Sequence, residues 1–247
     1  MLILDLVHNV SLLLALTIGL DFLSRHYDHG TWGYRLVAGL LFGGVAIVGM
    51  MTPVRFAPGV IYDGRSIVLG AAAFVGGPVA GTIGAVMAAG YRLWLGGPGT
   101  VPGLLVIAEA AILGSVVHYL RDRAPFWERT PVLWLFGLVV HILMLGAQFV
   151  LPGAMFRDVL VTLGPAILFV YPLAMTLVLR IMLAHERQRH DRRALEESEQ
   201  RYRSLFENSY APMMILDPNE GTILAVNQVA ADFYGWSRDE LRGMKIT

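Results

Sequence analysis

The sequence predicts an all-α polytopic membrane bundle of about six spans, followed by a charged helix and a short soluble α+β segment. Hydrophobic residues make up 55% of the 247-residue chain, and charged residues make up only 15%, against roughly 25% in soluble domains. The distribution is uneven, because apolar runs fill residues 1–184 and the remainder has the composition of a soluble protein. Composition and its asymmetry therefore indicate a membrane domain (residues 1–184) that precedes a soluble one.

A transmembrane helix needs about 20 mostly apolar residues, and the predicted spans are residues 2–23, 34–52, 66–90, 102–120, 131–150 and 160–184. The loops between them are short, so any sensed molecule must reach the bundle itself. With both termini inside, ten arginines, including Arg55 and Arg65, fall on the inner side and four, including Arg92, on the outer side. This bias agrees with the positive-inside rule. It predicts a multi-pass protein of the inner (plasma) membrane with a cytoplasmic carboxyl terminus.

Several classes of function are disfavoured by composition. The formal net charge is zero, so no electrostatic argument supports binding of nucleic acid. The chain has no cysteine, which removes disulfides, thiolate metal sites and cysteine nucleophiles. We expect no metal site and no cofactor, and the expected partners are the lipid bilayer and an unidentified small ligand.

The third apolar segment is interrupted near its middle by Gly76-Gly77-Pro78. Proline removes a backbone donor and clashes with the preceding turn, and a broken helix at membrane depth is tolerated where it lines a cavity or is buried in protein. The segment is either one broken span or a re-entrant hairpin. Its half-helix ends would suit a small polar ligand. Charged and glycine residues bracket it, which makes the following residues candidates for ligand binding: Asp63, Arg65, Arg92, Gly96 and Gly97.

Glycines with GxxxG spacing, such as Gly39 and Gly43, allow helices to approach closely; they indicate either tight packing alone or packing around a cavity. Glu109 lies well inside the fourth span, and intramembrane carboxylates are candidates for function. We predict that Glu109 and Arg92 help to form an outward-facing polar pocket, the alternative being a structural role for Glu109. His141 shares a helix face with Gln148, and either lines the cavity or bonds to neighbouring helices.

These motifs resemble the five-transmembrane LYT-type receptor family, the membrane domain of bacterial sensor histidine kinases tied to control of cell-wall lysis. The resemblance covers about residues 35–184, with the first span as an additional helix. It implies a ligand cavity among the helices. The residues that carry it are the D-x-R opening at Asp63 and Arg65, the GGP at Gly76–Pro78, Tyr91-Arg92 and Gly96-Gly97.

The tail begins with a charged segment, residues 185–206, that is free of Gly and Pro and rich in helix formers. Leu195, Tyr202 and Phe206 fall on one face, which fits either a short dimeric coiled coil or a solvated single helix. Residues 207–247 resemble the start of a PAS domain: a strand, the hairpin turn DPNEG, a second strand, and the helices NQVAADFYGW and SRDELRGM. We expect only the amino-terminal part of that domain here.

Three classes of function fit parts of this sequence. A signal receptor, most readily a two-component sensor histidine kinase, explains both the bundle and the PAS-like segment, and a diguanylate cyclase or phosphodiesterase output is a close alternative. A substrate-binding subunit of a transporter explains the bundle but not the tail. An intramembrane enzyme has no supporting metal-ligand or nucleophile–base spacing. The sequence therefore predicts a sensing module that relays a signal through residues 185–206, as a homodimer, with no catalytic residues of its own.

Overall fold

The computed structural model describes Gly19, His26, Tyr27 and residues 31–246; apart from Gly19, the predicted first span 2–23 lies outside these residues. The chain divides into two compact units, Met1–His185 and Glu186–Thr247. In the described residues, five helices are long and apolar enough to cross a membrane. The elements of the first unit are α1 (Trp32–Met51), β1 (Val54–Ala57), β2 (Val60–Tyr62), α2 (Arg65–Leu95), α3 (Thr100–Arg121), α4 (Thr130–Ala147), α5 (Gly153–Thr162) and the first part of α6 (Gly164–Glu207).

The α2 segment folds back on itself. Gly77 has φ 71° and ψ −172°, a conformation that L-residues with side chains rarely adopt, and Pro78 follows it directly. A straight helix of 31 residues would be about 46 Å long, yet a Cβ built on Gly81 would lie 2.6 Å from Ala73 Cβ. The third apolar segment is therefore a re-entrant hairpin with two antiparallel halves, α2a (65–76) and α2b (78–95).

The other helices pack around this hairpin. On α1, Gly39 contacts Ile83 and Gly43 contacts Gly84, so α1 runs parallel to α2b. Gly70 lies against Gly114, and Gly77, further along the chain, lies against His118, so α3 runs parallel to α2a. Short glycine contacts thus account for both interfaces, and Gly39 and Gly43 pack closely, as their spacing predicts.

The small β-hairpin between α1 and α2 was not predicted. Its turn is Pro58-Gly59, and Gly59 has φ 77°, the left-handed conformation that glycine adopts at least cost. Val60 and Tyr62 of β2 are buried in a cluster with Met144, Leu145, Val159 and Ile167. The β-hairpin is therefore embedded in one end of the helix bundle.

The fold-back places both ends of α2 at the same face of the bundle. We call the face that carries residues 52–64 and 96–99 the β-hairpin face, and the face that carries residues 122–129 the opposite face. The sequence-based prediction that Arg92 lies across the membrane from Arg55 and Arg65 is wrong, because it assumed that the third segment crosses. The predicted cytoplasmic position of the amino terminus relied on an even number of crossings. Because the third segment does not cross, that argument no longer holds.

The two halves of α2 differ in burial. Every residue of α2a from Arg65 to Gly76 is buried, whereas α2b buries mainly Ala80, Gly81, Gly84, Ala88 and Arg92. This spacing of three to four residues is that of a helix with one face against protein and the other face outward. The half-helix α2a is thus enclosed by other helices, and α2b lies at the periphery.

The second unit contains the rest of α6, a two-stranded antiparallel sheet and two short helices. These elements are β3 (Met214–Leu216), β4 (Ile223–Val226), α7 (Gln228–Tyr234) and α8 (Arg238–Leu241). Asn227 is fully buried and caps α7 by accepting from Ala230 N–H, while Ser237 and Glu240 form a capping box on α8. Glu207, at the end of α6, forms an ion pair with Arg238.

Candidate ligand site

Three of the predicted site residues meet at the β-hairpin face. Asp63 lies between β2 and α2a, where its Oδ1 accepts from the Arg65 backbone N–H at 2.9 Å and its Oδ2 lies 3.4 Å from Arg65 Nη1. The Arg92 guanidinium comes from the far end of α2b and interacts electrostatically with both. Burial raises the pKa of Asp63, and the adjacent Arg65 guanidinium acts in the opposite direction. Residues 27 positions apart thus form one cluster because α2 folds back.

The cluster is buried and is incompletely hydrogen-bonded. Asp63, Arg65 and Arg92 are 3%, 5% and 1% exposed. Asp63 Oδ2, Arg65 Nη1 and Arg92 Nε have no hydrogen-bond partner among the described residues, whereas buried polar atoms nearly always have one. Two guanidinium groups and one carboxylate also leave one positive charge in excess, and burying such a charge is costly unless it is paired. The cluster therefore has both the donors and the charge to receive a small anionic group.

The predicted glycines Gly96 and Gly97 position Arg92. Arg92 Nη1 donates to the Gly96 carbonyl and Nη2 donates to the Gly59 carbonyl, both at 2.9 Å. Gly97 lies against Gly59, because a Cβ on Gly97 would fall 2.8 Å from the Gly59 Cα. The loop after α2b and the tip of the β-hairpin thus hold the guanidinium between them.

His141 belongs to a buried polar chain that leads away from the cluster. Its Nδ1 lies 2.6 Å from the Gly137 carbonyl, which can only accept, so Nδ1 carries the hydrogen. In the neutral ring its Nε2 then accepts from the Ser66 hydroxyl at 3.2 Å. The ring also packs edge-on against Tyr171 of α6, with centroids 5.2 Å apart. Because both nitrogens are occupied, His141 joins α2a, α4 and α6 and has no free nitrogen for a ligand.

A second polar contact joins the β-hairpin to α4. Burial raises the pKa of Tyr62 to about 12, so its hydroxyl stays protonated and donates to Gln148 Oε1 at 3.1 Å. The Gln148 amide in turn donates to the Met144 carbonyl. Sequence reasoning missed Tyr62 and Ser66. The signal that could have found Tyr62 is Pro58-Gly59 between the short runs Val54-Arg55-Phe56 and Val60-Ile61-Tyr62, which is a hairpin turn; no comparable signal points to Ser66.

The predicted residues Gly76, Gly77 and Pro78 lie at the other end of α2a, about 18 Å along the helix from the cluster. There the break contacts α3: the His118 Nδ1 lies 2.8 Å from the Phe74 carbonyl. These three residues shape the hairpin and are not part of the charged cluster.

The structure does not bring Glu109 and Arg92 together in the polar pocket that the sequence predicted. The charged neighbours of Arg92 are Arg65 and Asp63, and Glu109 Oε1 has no hydrogen-bond partner within the described part of the chain. Nor do the described residues contain any group of three or more His, Asp or Glu that could hold a metal ion.

The family model described as 5TMR of 5TMR-LYT matches residues 20–185. The chain belongs to the 5TMR-LYT family. A PAS domain model matches residues 200–247, so this 5TMR-LYT chain joins a membrane receptor domain to PAS sequence. No curated protein and no solved structure matches it. The charged cluster, the polar chain through His141 and the start of α6 all lie within the part matched by the 5TMR-LYT family.

Proposed function

We propose that this chain is the sensing module of a transmembrane signal receptor, and that the cluster of Asp63, Arg65 and Arg92 binds a small anionic ligand. The observation that carries the proposal is the buried Arg92 Nε, which has no hydrogen-bond partner among the described residues, in a cluster with one excess positive charge. An anion that accepted from Arg92 Nε would compensate both the charge and the missing hydrogen bond.

The contacts of the cluster provide a route for the signal. The ligand would act on the junction of β2 and α2a, which is joined to α4 by the Ser66–His141 bond and to α6 by the Tyr171 ring. The helix α6 continues without interruption to Glu207. A ligand that favours one of two packings of these helices would therefore shift α6 and, with it, residues 185–206.

The membrane orientation that fits this role puts the opposite face in the cytoplasm. The exposed arginines on the β-hairpin face are Arg55 and Arg157, since Arg65 and Arg92 are buried. The arginines at the opposite face are Arg35, Arg121, Arg123, Arg129 and Arg180, and further arginines follow Arg180 along α6. This is the asymmetry expected of a cytoplasmic face in an inner-membrane protein.

For the output we propose a histidine kinase, with a diguanylate cyclase or phosphodiesterase as the second candidate, because PAS domains precede all three. A homodimer through residues 185–206 is part of the same proposal, supported by Leu195, Tyr202 and Leu205, which are 68%, 54% and 68% exposed on a long helix. A transporter subunit is less well supported, because α6 leads into PAS sequence. The coding sequence downstream of Thr247 tests the choice of output.

The ligand proposal is tested on the purified protein in detergent, with two- to four-carbon carboxylates and inorganic phosphate as probes. We expect at least one of them to raise the melting temperature of the wild type and of the exposed control Arg157→Gln, but not of Arg92→Gln. The proposal is wrong if no probe stabilises the wild type, or if Arg92→Gln responds like the control.

The relay is tested separately by hydrogen–deuterium exchange of residues 186–206 with and without the stabilising probe. A change in the exchange rate of this segment is expected. Unchanged exchange at saturating ligand would overturn the relay and leave the binding site standing.

A further inference from the structure

A cleft of about 720 Å³ opens on the β-hairpin face beside the charged cluster. Its walls are the end of α1, the outer side of the β-hairpin and the last turn of α2b. Most of the lining side chains are apolar, including Met51, Phe56 and Leu95. The cleft therefore lies on the outer side of the β-hairpin, whereas the candidate ligand site is buried on the inner side of the β-hairpin.

The charged residues that line the cleft are all positive. Arg55 and Arg92 line it, and among the described lining residues there is no Asp or Glu. Arg92 is committed to the Gly96 and Gly59 carbonyls. Arg55 is exposed and has no ion pair in the described part of the chain. The available cation of the cleft is thus the Arg55 guanidinium, which is suited to a phosphate group.

Aromatic residues of the kind found at membrane surfaces flank the mouth of the cleft. Trp94, 76% exposed, packs beside Tyr91 with ring centroids 5.5 Å apart, and tryptophan and tyrosine concentrate at the level of lipid headgroups. Met51 and Leu95 are 60% and 40% exposed beside them, so apolar surface continues from the cleft to the lipid-facing side of the bundle. A bound molecule would need an anionic head for Arg55 and an apolar chain for the walls.

We infer that this cleft binds one anionic phospholipid, with the headgroup phosphate on Arg55 and the start of an acyl chain along Met51, Phe56 and Leu95. A free anion would leave the apolar walls unused, and a zwitterionic lipid would bring a choline cation, which offsets the attraction of its phosphate to Arg55. Since the β-hairpin forms one wall, the lipid would pack against the element that carries the Asp63 cluster on its other side. Bilayer composition would then influence the same element as the proposed small ligand.

The test is native mass spectrometry of the whole protein with phosphatidylglycerol or phosphatidylcholine added to the detergent. We expect a bound phosphatidylglycerol that is retained in Arg55→Lys and in the control Arg157→Gln, an exposed arginine at the same face outside the cleft. Binding should weaken about fivefold in Arg55→Gln, the effect of one arginine near a lipid surface. Soluble glycerol phosphate should not displace the lipid.

Three outcomes would overturn the inference. Equal losses in Arg55→Gln and Arg157→Gln would indicate diffuse charge attraction. Equal binding of phosphatidylcholine, whose choline cation offsets its phosphate, would show that the cleft does not select an anionic lipid. Displacement by glycerol phosphate would make the occupant a free anion. None of these results depends on whether the carboxylate probes bind at Arg92, so the two proposals fail separately.

Discussion

At the scale of single residues, His118 compensates for a hydrogen bond that Pro78 cannot make. Proline has no N–H, so the Phe74 carbonyl, four residues earlier, loses its helical donor. His118 Nδ1 lies 2.8 Å from that carbonyl, and the Arg121 guanidinium lies 4.9 Å from the centre of the Phe74 ring. Two side chains of α3 thus stabilise the end of α2a where the chain reverses.

Replacing His118 with Ala should destabilise the bundle, because it leaves a carbonyl inside the protein without a donor, at a cost of about 1–3 kcal/mol. The measurement is the free energy of unfolding in mixed detergent micelles. The matched control is His185→Ala, since His185 makes a similar 3.0 Å bond to the Ile181 carbonyl at an exposed position. Equal losses in the two variants would contradict a special role of His118.

At the scale of elements, glycines decide how closely helices approach. A Cβ on Gly114 of α3 would lie 2.4 Å from the Gly70 carbonyl oxygen of α2a, whereas a Cβ on Gly90 would meet nothing within 4 Å. The GxxxG pattern on α1 was sufficient to predict a close interface. It could not identify the partner helix, because small residues occur on both α2b and α3. The sequence also does not show whether either helix runs parallel or antiparallel to α1.

We expect Gly114→Ala to lower the free energy of unfolding by about 1–3 kcal/mol, since two backbones must separate to admit the methyl group. Gly90→Ala should be neutral or stabilising by up to about 1 kcal/mol, because alanine is the better helix former. Unfolding in mixed micelles measures both. A neutral Gly114→Ala would show that α3 does not pack on α2a at this distance.

At the scale of the whole molecule, the membrane bundle and the PAS-like segment were predictable, but the path of the third segment was not. Gly76-Gly77-Pro78 predicts a break, and either a broken span or a hairpin satisfies it. The choice depends on contacts such as Gly84 against Leu69, which connect residues that a linear pattern cannot bring together. For the same reason the sequence predicts a pocket of Arg92 with Glu109, the nearest acidic residue in sequence, and puts its actual neighbours Asp63 and Arg65 across the membrane.

The re-entrant hairpin can be tested by labelling with a membrane-impermeant maleimide, because the chain has no native cysteine. Thr52→Cys and Pro98→Cys, both at exposed positions, should react from the same side of the membrane. Asp122→Cys should react from the other side of the membrane. Permeabilised cells control for reactivity. If α2 crossed as one span, Thr52→Cys and Pro98→Cys would instead react from opposite sides.

The enclosure of α2a has a consequence for the order of assembly. At about 18 Å this half-helix is shorter than the roughly 30 Å core of a bilayer, and all its faces are covered by protein, so lipid alone offers it no stable position. Its neighbours α3, α4 and α6 are synthesised after it. We expect α2a to reach its enclosed final position only after α3, α4 and α6 have been synthesised.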